Sequence, residues 1–171
     1  MTLFSNEFNS LQDLFVNQLE DLYDAEQRLT KALPKMAQAA HSSQLRQAFQ
    51  THLTETEGHV SRLEKIFGQL GIDPKRETCD AMKGLIAEGE EMISAKGDAD
   101  VKDAALIAAA QRVEHYEISA YGTARTFAQR LGFNDAANTL QQTLREESAA
   151  DEKLTQIAES SVNLQATGRA V

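Results

Sequence analysis

The sequence predicts an all-α protein folded as a four-helix bundle, and three observations carry this prediction. Apolar residues recur every three or four positions over four long segments, which is the spacing of a helix with one buried face. The chain has only 2 prolines and 9 glycines, and Gly71, Gly97 and Gly132 stand where helical segments stop. Residues 1–171 form one domain, because two domains would each be undersized.

The first two predicted helices form an antiparallel pair. The first runs from Leu11 to Ala40, and Pro34 is expected to kink it. Residues 41–43 supply a short turn and a cap. The second helix runs from about Gln44 to Leu70, stops at Gly71, and has an inward face whose middle lacks apolar residues.

The second half of the chain repeats this arrangement after a long crossover, about residues 71–100, that contains a shorter amphipathic helix. The third long helix spans about Val101 to Leu131, and the fourth begins near Asn134. Two antiparallel hairpins joined by a long crossover are the connectivity of ferritin-like bundles. We therefore expect the bundle over about residues 8–162, followed by a polar tail at 163–171.

Composition and charge exclude several classes of partner. Acidic residues outnumber basic ones by 26 to 17, so the net charge of −9 repels the phosphate backbone of nucleic acids. No export signal is evident, and no apolar run approaches the roughly 18 residues that a membrane helix needs. Cys79 is the only cysteine, so no intrachain disulfide can form. These features predict a cytoplasmic protein that binds neither nucleic acid nor membrane.

Ionisable residues interrupt the inward face of every long helix. At about 100° of rotation per residue, each face has a gap in its apolar series that such a residue fills. Glu26 and Glu117 each precede the centre of their hairpin turn, near residues 42 and 133, by the same 16 positions, so the gaps lie at one depth. The inward-facing set is Glu26 on the first helix, His52, Glu55 and His59 on the second, Glu114 and Glu117 on the third, and Glu147 and Asp151 on the fourth.

Buried carboxylates at one level require positive charge, because unpaired ionised groups are very costly in an apolar interior. Arg62 only flanks the second helix's inward face, so no basic side chain fills this role. Two divalent cations would supply it, and an oxygen-rich site favours iron or manganese, or even magnesium, over zinc or copper. The predicted ligands are Glu26, Glu55, His59, Glu117, Glu147 and Asp151.

Other polar residues near this layer have alternative interpretations. Glu114 competes with Glu117 as the ligand of the third helix or adds to it. His52 lies one layer away, where a hydrogen-bonded core histidine or a residue supporting the ligands is favoured over a ligand. His115 points away from the layer, toward the surface or a subunit contact, and Glu146 is assigned to a solvated face.

Four segments carry a resemblance that runs from about Leu11 to Ala158: DLYDAEQRLTKALPKMA, HLTETEGHVSRLEKIFGQLG, DAALIAAAQRVEHYEISAYGT and LREESAADEKLTQIA. They resemble the bacterial YciF-like stress-response family of ferritin-like proteins, most specifically at 113–118. The resemblance implies the four-helix fold, a homodimer, a cytoplasmic location and induction under osmotic or envelope stress. Related sequences can carry a histidine where Glu57 stands here, which leaves open the nitrogen ligand of the second helix. The ligand positions that the resemblance carries over are Glu26, Glu55, Glu117, Glu147 and Asp151.

Two functions from different classes fit the predicted site. The first is a di-metal oxidoreductase, of ferroxidase-like or peroxide-consuming type, acting on oxygen, peroxide or Fe²⁺. The alternative is a stress-induced structural or interaction protein in which the metal only staples the bundle. Iron storage in a multi-subunit shell is a third and less favoured interpretation.

Overall fold

A computed structural model describes residues 7–74 and 77–168, and every regular element within these ranges is helical. After the long helix α5 (Asn134–Ile157), the chain continues through a π-helical turn, Ala158–Val162, into α6 (Asn163–Ala166). The predicted tail therefore begins as helix, and residues 169–171 of it lie outside the described residues. The preceding helices are α1 (Leu11–Ala39), α2 (Ser43–Leu70), α3 (Asp80–Ser94), α4 (Ala99–Leu131) and α5 (Asn134–Ile157).

The helices pack as two hairpins, α1 with α2 and α4 with α5, and α3 crosses between them against α1 and α4. The prediction of an all-α four-helix bundle with a helical crossover is confirmed. None of the described helices is both long enough and apolar enough to cross a membrane.

Local sequence determines where the helices begin and end. The hydroxyl oxygens of Ser10 and Ser42 accept hydrogen bonds from backbone N–H groups in the first turns of α1 and α2. Gly71 and Gly132 end α2 and α4 at φ 67° and 81°, the left-handed conformation that glycine adopts without a Cβ penalty. Pro34 lies inside α1, which continues to Ala39.

A buried carboxylate ties the two hairpins together. Asp103 on α4 is fully buried and accepts hydrogen bonds from the backbone nitrogens of His41 (2.8 Å) and Ser42 (2.6 Å). Both donors belong to the turn between α1 and α2. Asp103 therefore fixes the height of the first hairpin relative to α4, on which the alignment of the polar layer depends.

The apolar core consists of two clusters with the polar layer between them. Near the α1–α2 turn, Leu33, Leu45 and Leu106 belong to one cluster. Phe15 and Leu140 belong to the other, at the opposite end of the bundle. Each long helix passes through both clusters, so the polar side chains between them are sealed from both ends.

Candidate metal centre

The polar layer contains buried ionisable side chains from all four long helices. His52 and His59 on α2 are seven residues apart, which is two helical turns, so both face the same side. On α4, Glu114 and Glu117 are one turn apart. Six residues of the layer are at most 6% exposed: Glu26, His52, His59, Glu114, Glu117 and Glu147.

Glu26, His59 and Glu147 converge as a first group. The Nδ1 atom of His59 lies 2.9 Å from Glu147 Oε1 and 3.2 Å from Glu26 Oε1, yet it has no hydrogen-bond partner of acceptable geometry among the described residues. A metal ion with bonds of about 2.1 Å holds neighbouring octahedral ligands about 3.0 Å apart. The spacing of these three atoms therefore suits ligands of one shared ion.

His52, Glu114, Glu117 and Glu147 form a second group, in which one ligand atom from each residue lies within 4.8 Å of the others. The Nε2 atom of His52 lies 3.4 Å from Glu114 Oε1 and 3.6 Å from Glu147 Oε2. These distances are near the roughly 3.4 Å edge of a tetrahedral site with bonds of about 2.1 Å. Glu147 joins the two groups, because Oε1 faces the first and Oε2 faces the second.

Buried polar atoms that lack a hydrogen-bond partner are concentrated in this layer. Each such atom costs about 1–3 kcal/mol, so a folded chain rarely accumulates them without a compensating ligand. Within the part of the chain that the structure describes, the unpartnered atoms of the layer are Glu26 Oε2, His52 Nε2, His59 Nδ1, Glu114 Oε2 and both carboxylate oxygens of Glu117 and Glu147. The buried histidine and glutamate groups could hold a metal ion.

Burial and mutual repulsion shift the acidity of the layer. Burial raises the pKa of Glu26, Glu114 and Glu117, and the neighbouring charge of Glu147 raises all three pKa values further. In the metal-free protein these carboxyl groups therefore hold protons more tightly than exposed glutamates do.

The two histidines respond to the same carboxylates in the opposite sense. Burial lowers the pKa of His52, but Glu114 and other carboxylates outweigh this effect and raise the pKa to about 9. Burial also lowers the pKa of His59, and Glu147 and Glu26 outweigh it to give a pKa of about 11. A metal ion held by both rings would therefore have to displace a proton from each of them.

Behind His59, a second set of contacts orients the ring. The Nε2 atom of His59 lies 2.9 Å from Glu146 Oε2, and Arg62 donates to both Glu146 oxygens at 2.5 and 2.9 Å. Burial would raise the pKa of Glu146, but Arg62 and Gln142 lower it to about 2. The ionised Glu146 accepts a hydrogen bond from the Nε2–H group of His59 and leaves Nδ1 for the site.

Glu146 is a supporting residue that the sequence analysis missed. The solvated-face assignment of Glu146 was wrong, because its side chain is only 27% exposed and turns toward α2. The sequence does contain a signal for this role: Glu146 directly precedes Glu147 and lies about 100° from it around α5, next to the inward face. Tyr121 is fully buried, and its hydroxyl donates to Glu26 Oε1 at 2.5 Å.

Among the predicted ligands, the structure brings Glu26, His59, Glu117 and Glu147 together, with His52 and Glu114, and places two outside both groups. The Glu55 side chain is 38% exposed and contacts His52 Nδ1 at 3.3 Å, on the far side of that ring from the layer. Asp151 accepts from Gln111 Nε2 at 3.0 Å and lies 3.3 Å from His115 Nε2, near the surface between α4 and α5. Glu55 and Asp151 each lie four residues from a member of the layer, a difference of about 40° around the helix, and both carboxylates lie outside it.

A groove connects the second group with the surface between α2 and α5. It has a volume of about 650 Å³, and His52 and Glu114 are among its lining residues. The small side chains of Ala48, Ala149 and Ala150 leave this space open. Polar residues such as Gln44, Gln47 and Lys153 line the rest together with the apolar side chains of Phe49, Leu154 and Ile157.

Comparison with known proteins shows to which family the chain belongs. A family model described as a domain of unknown function, DUF892, matches residues 10–167. Protein YciF of Escherichia coli is 46% identical over 162 residues, which are 94% of this chain and 98% of that protein. The crystal structure of the E. coli stress protein YciF superposes with a TM-score of 0.88 at 46% identity, covering 91% of this chain and 99% of that one.

Two further solved structures are similar. YcfI from Rhodopseudomonas palustris, described provisionally as a structural protein, is 43% identical with a TM-score of 0.87, covering 91% of this chain and 99% of that chain. A protein from Xanthomonas campestris is 18% identical with a TM-score of 0.73 and covers 93% of this chain and 98% of that one. At this low sequence identity, the last comparison shows only that the two proteins share a fold.

Proposed function

Because this chain belongs to the YciF-like, DUF892 family, we propose that it is a ferritin-like stress-response protein whose buried layer binds two divalent metal ions. The observation that carries the proposal is the position of Glu147, whose two oxygens each face a separate group of buried, unpartnered donor atoms. Glu26 and His59 would complete the first metal position. His52, Glu114 and Glu117 would complete the second.

Charge and donor type support this ligand set. Its four carboxylates balance the charge of about two divalent ions when both imidazoles are neutral, so the buried site would carry no net charge. Four carboxylates and two histidines are also the donor count of di-iron and di-manganese carboxylate bundles. Oxygen donors with two imidazoles suit iron first and manganese second.

We infer an oxidoreductase activity of ferroxidase or peroxide-consuming type. When bound, the metal pair would supply electrons to oxygen or peroxide. Glu146 and Arg62 hold the ring of His59, and Tyr121 holds a proton against Glu26. Burial raises the pKa values of Glu114 and Glu117, so these carboxyl groups can hold protons beside the site. The groove between α2 and α5 gives small reactants access to His52.

The test compares metal content and turnover in matched variants. Glu147→Gln removes the shared charge with little change in shape, whereas Glu152→Gln alters an exposed residue on the same helix. We expect two ions per chain in the unaltered protein and in Glu152→Gln, and at most one in Glu147→Gln, by elemental analysis after purification without added metal. Fe²⁺ oxidation and peroxide consumption should fall with the metal. Full metal content in Glu147→Gln would overturn the assignment.

A structural role is the second candidate, favoured by the provisional description of the R. palustris relative as a structural protein. In that case the metal would raise the melting temperature without turnover of peroxide or Fe²⁺. Measuring the melting temperature and the turnover of peroxide and Fe²⁺ on the same metal-loaded sample decides between the two functions.

Stress-linked expression, a homodimer and a cytoplasmic location complete the proposal. The E. coli relative is described as a stress protein, and the lone cysteine, Cys79, is fully buried and free. Light scattering on the purified chain tests the dimer, and a cage-sized particle would instead support iron storage.

A further inference from the structure

A second space leads to the metal-binding layer, between α1, α3 and α4. It is a narrow cavity of about 40 Å³. His52 and Glu114 form one end of it, and most of the remaining wall is apolar. That wall includes Leu29, Leu33, Met36, Phe49, Ile86 and Val113.

We propose that this cavity binds dioxygen beside the second metal position. This inference rests on the proposed function, and it identifies dioxygen as the oxidant of that function. A cavity needs roughly 10–15 Å³ to hold one water-sized molecule, so this one accepts a diatomic molecule. Apolar cavities stay dry and take up apolar guests such as xenon, whereas a bound water needs two to four polar partners.

The polar end of the cavity places the guest next to the reactive layer. His52 is 6% exposed and Glu114 is 2% exposed, and neither His52 Nε2 nor Glu114 Oε2 has a hydrogen-bond partner within the described ranges. Both residues belong to the second metal-binding group. A molecule in the cavity would therefore lie beside the proposed ion without passing through the groove between α2 and α5.

A glycine on the crossover helix keeps this space open. Gly89 is one of the buried residues of α3, and a Cβ added there would meet Met36 Sδ at 3.9 Å, an ordinary contact. At the outer edge, Lys35 Nζ and Glu90 Oε1 form a 2.7 Å ion pair between α1 and α3, with both side chains more than half exposed. Surface ion pairs of this kind are weak, so the opening can admit a small molecule.

Xenon tests the cavity directly, on metal-free and metal-loaded protein. Gly89→Ala puts a methyl group into the space, and Gly84→Ala is its matched control at an exposed position of α3 with nothing within 4 Å. Both changes raise helix propensity equally. Xenon-pressurised crystals should show one site beside His52 in the unaltered protein and in Gly84→Ala, with occupancy reduced several-fold in Gly89→Ala.

A second variant, Ala110→Leu, fills the cavity from α4 and should abolish the xenon site. With dioxygen as the oxidant of Fe²⁺, Gly89→Ala should raise the KM for dioxygen several-fold, while peroxide-driven oxidation stays unchanged. Ordered water in place of xenon, or an unchanged KM, would overturn the inference. Xenon uptake by a protein that binds no metal would overturn the proposed function, but it would still show that the cavity binds a gas molecule.

Discussion

His59 and Glu147 come from different hairpins, yet His59 Nδ1 lies 2.9 Å from Glu147 Oε1 and both side chains are completely buried. This contact lies where α2 and α5 pack against each other, away from either hairpin turn. In the metal-free protein it joins a histidine of raised pKa to a carboxylate. A metal ion would take the place of the proton between them.

Glu146→Gln should weaken metal binding about 10- to 100-fold, because ionised partners behind a ligating histidine orient the ring and raise its basicity. Glutamine keeps the size of the side chain but not its charge. Titration with Mn²⁺ measures the change, and Glu152→Gln on the exposed face of α5 is the control. Equal affinities in the two variants would show that Glu146 does not support the site.

Rising pH should destabilise the metal-free protein. The pKa of His52 is about 9 in the folded state against 6.5 as its ordinary value, so its stabilising charge is complete below pH 6.5 and is lost as pH rises through 9. The raised pKa values of Glu114 and Glu117 act in the same direction. Urea unfolding in the presence of a chelator, at pH 6.5 and at pH 9, measures the decrease in the free energy of unfolding.

Metal binding should strengthen over the same pH interval, because fewer protons must be displaced. Each proton released per ion makes the apparent affinity rise about tenfold per pH unit. Saturating Mn²⁺ should accordingly reverse the trend in stability. A metal affinity that is flat between pH 6.5 and pH 9 would contradict the involvement of His52 and His59.

Glu117→Leu should stabilise the metal-free protein while it abolishes full metal loading. Both Glu117 oxygens are buried without hydrogen-bond partners in the described chain, and relieving that penalty is worth about 1–3 kcal/mol. Glu117→Gln is the matched control, since it removes the charge but keeps buried polar atoms. Urea unfolding with and without metal separates the two effects, and a destabilised Glu117→Leu would count against an unsatisfied acid at this position.

Asp103→Ala should lower the free energy of unfolding by about 2–4 kcal/mol, because two backbone N–H groups lose their acceptor. Asp103→Asn keeps one acceptor oxygen and should cost less. Glu88→Ala, at an exposed site on α3, is the control. A loss no larger than that of the control would mean that solvent replaces the carboxylate.

The bundle could be predicted because its signals are local. Apolar periodicity and turn residues such as Gly71 and Gly132 mark each helix without reference to the others. The depth of the polar layer followed from counting back from each turn to Glu26 and Glu117. Both operations use only the rise and rotation of a single helix.

The choice among neighbouring polar residues could not be made in this way. His52 and Glu55 differ by about 60° around α2, and either could face the layer, depending on how α2 is rotated in the bundle. That rotation is set by how α2 packs against α1 and α5. Helix packing geometry is variable, since crossing angles alone scatter by about ±15–20°. Asp151 and Glu114 present the same ambiguity, and packing places Glu114 inside and Asp151 near the surface.

Both histidines of the layer stand on α2, so under the proposed assignment one helix supplies all of its nitrogen donors. The second hairpin supplies three of the four carboxylates, from α4 and α5. Changes on α2 would therefore alter which metals the site prefers, and changes on α4 or α5 would alter how much positive charge it tolerates. Under this assignment, substitutions on α2 and substitutions in the second hairpin would therefore act mainly on different properties of the site.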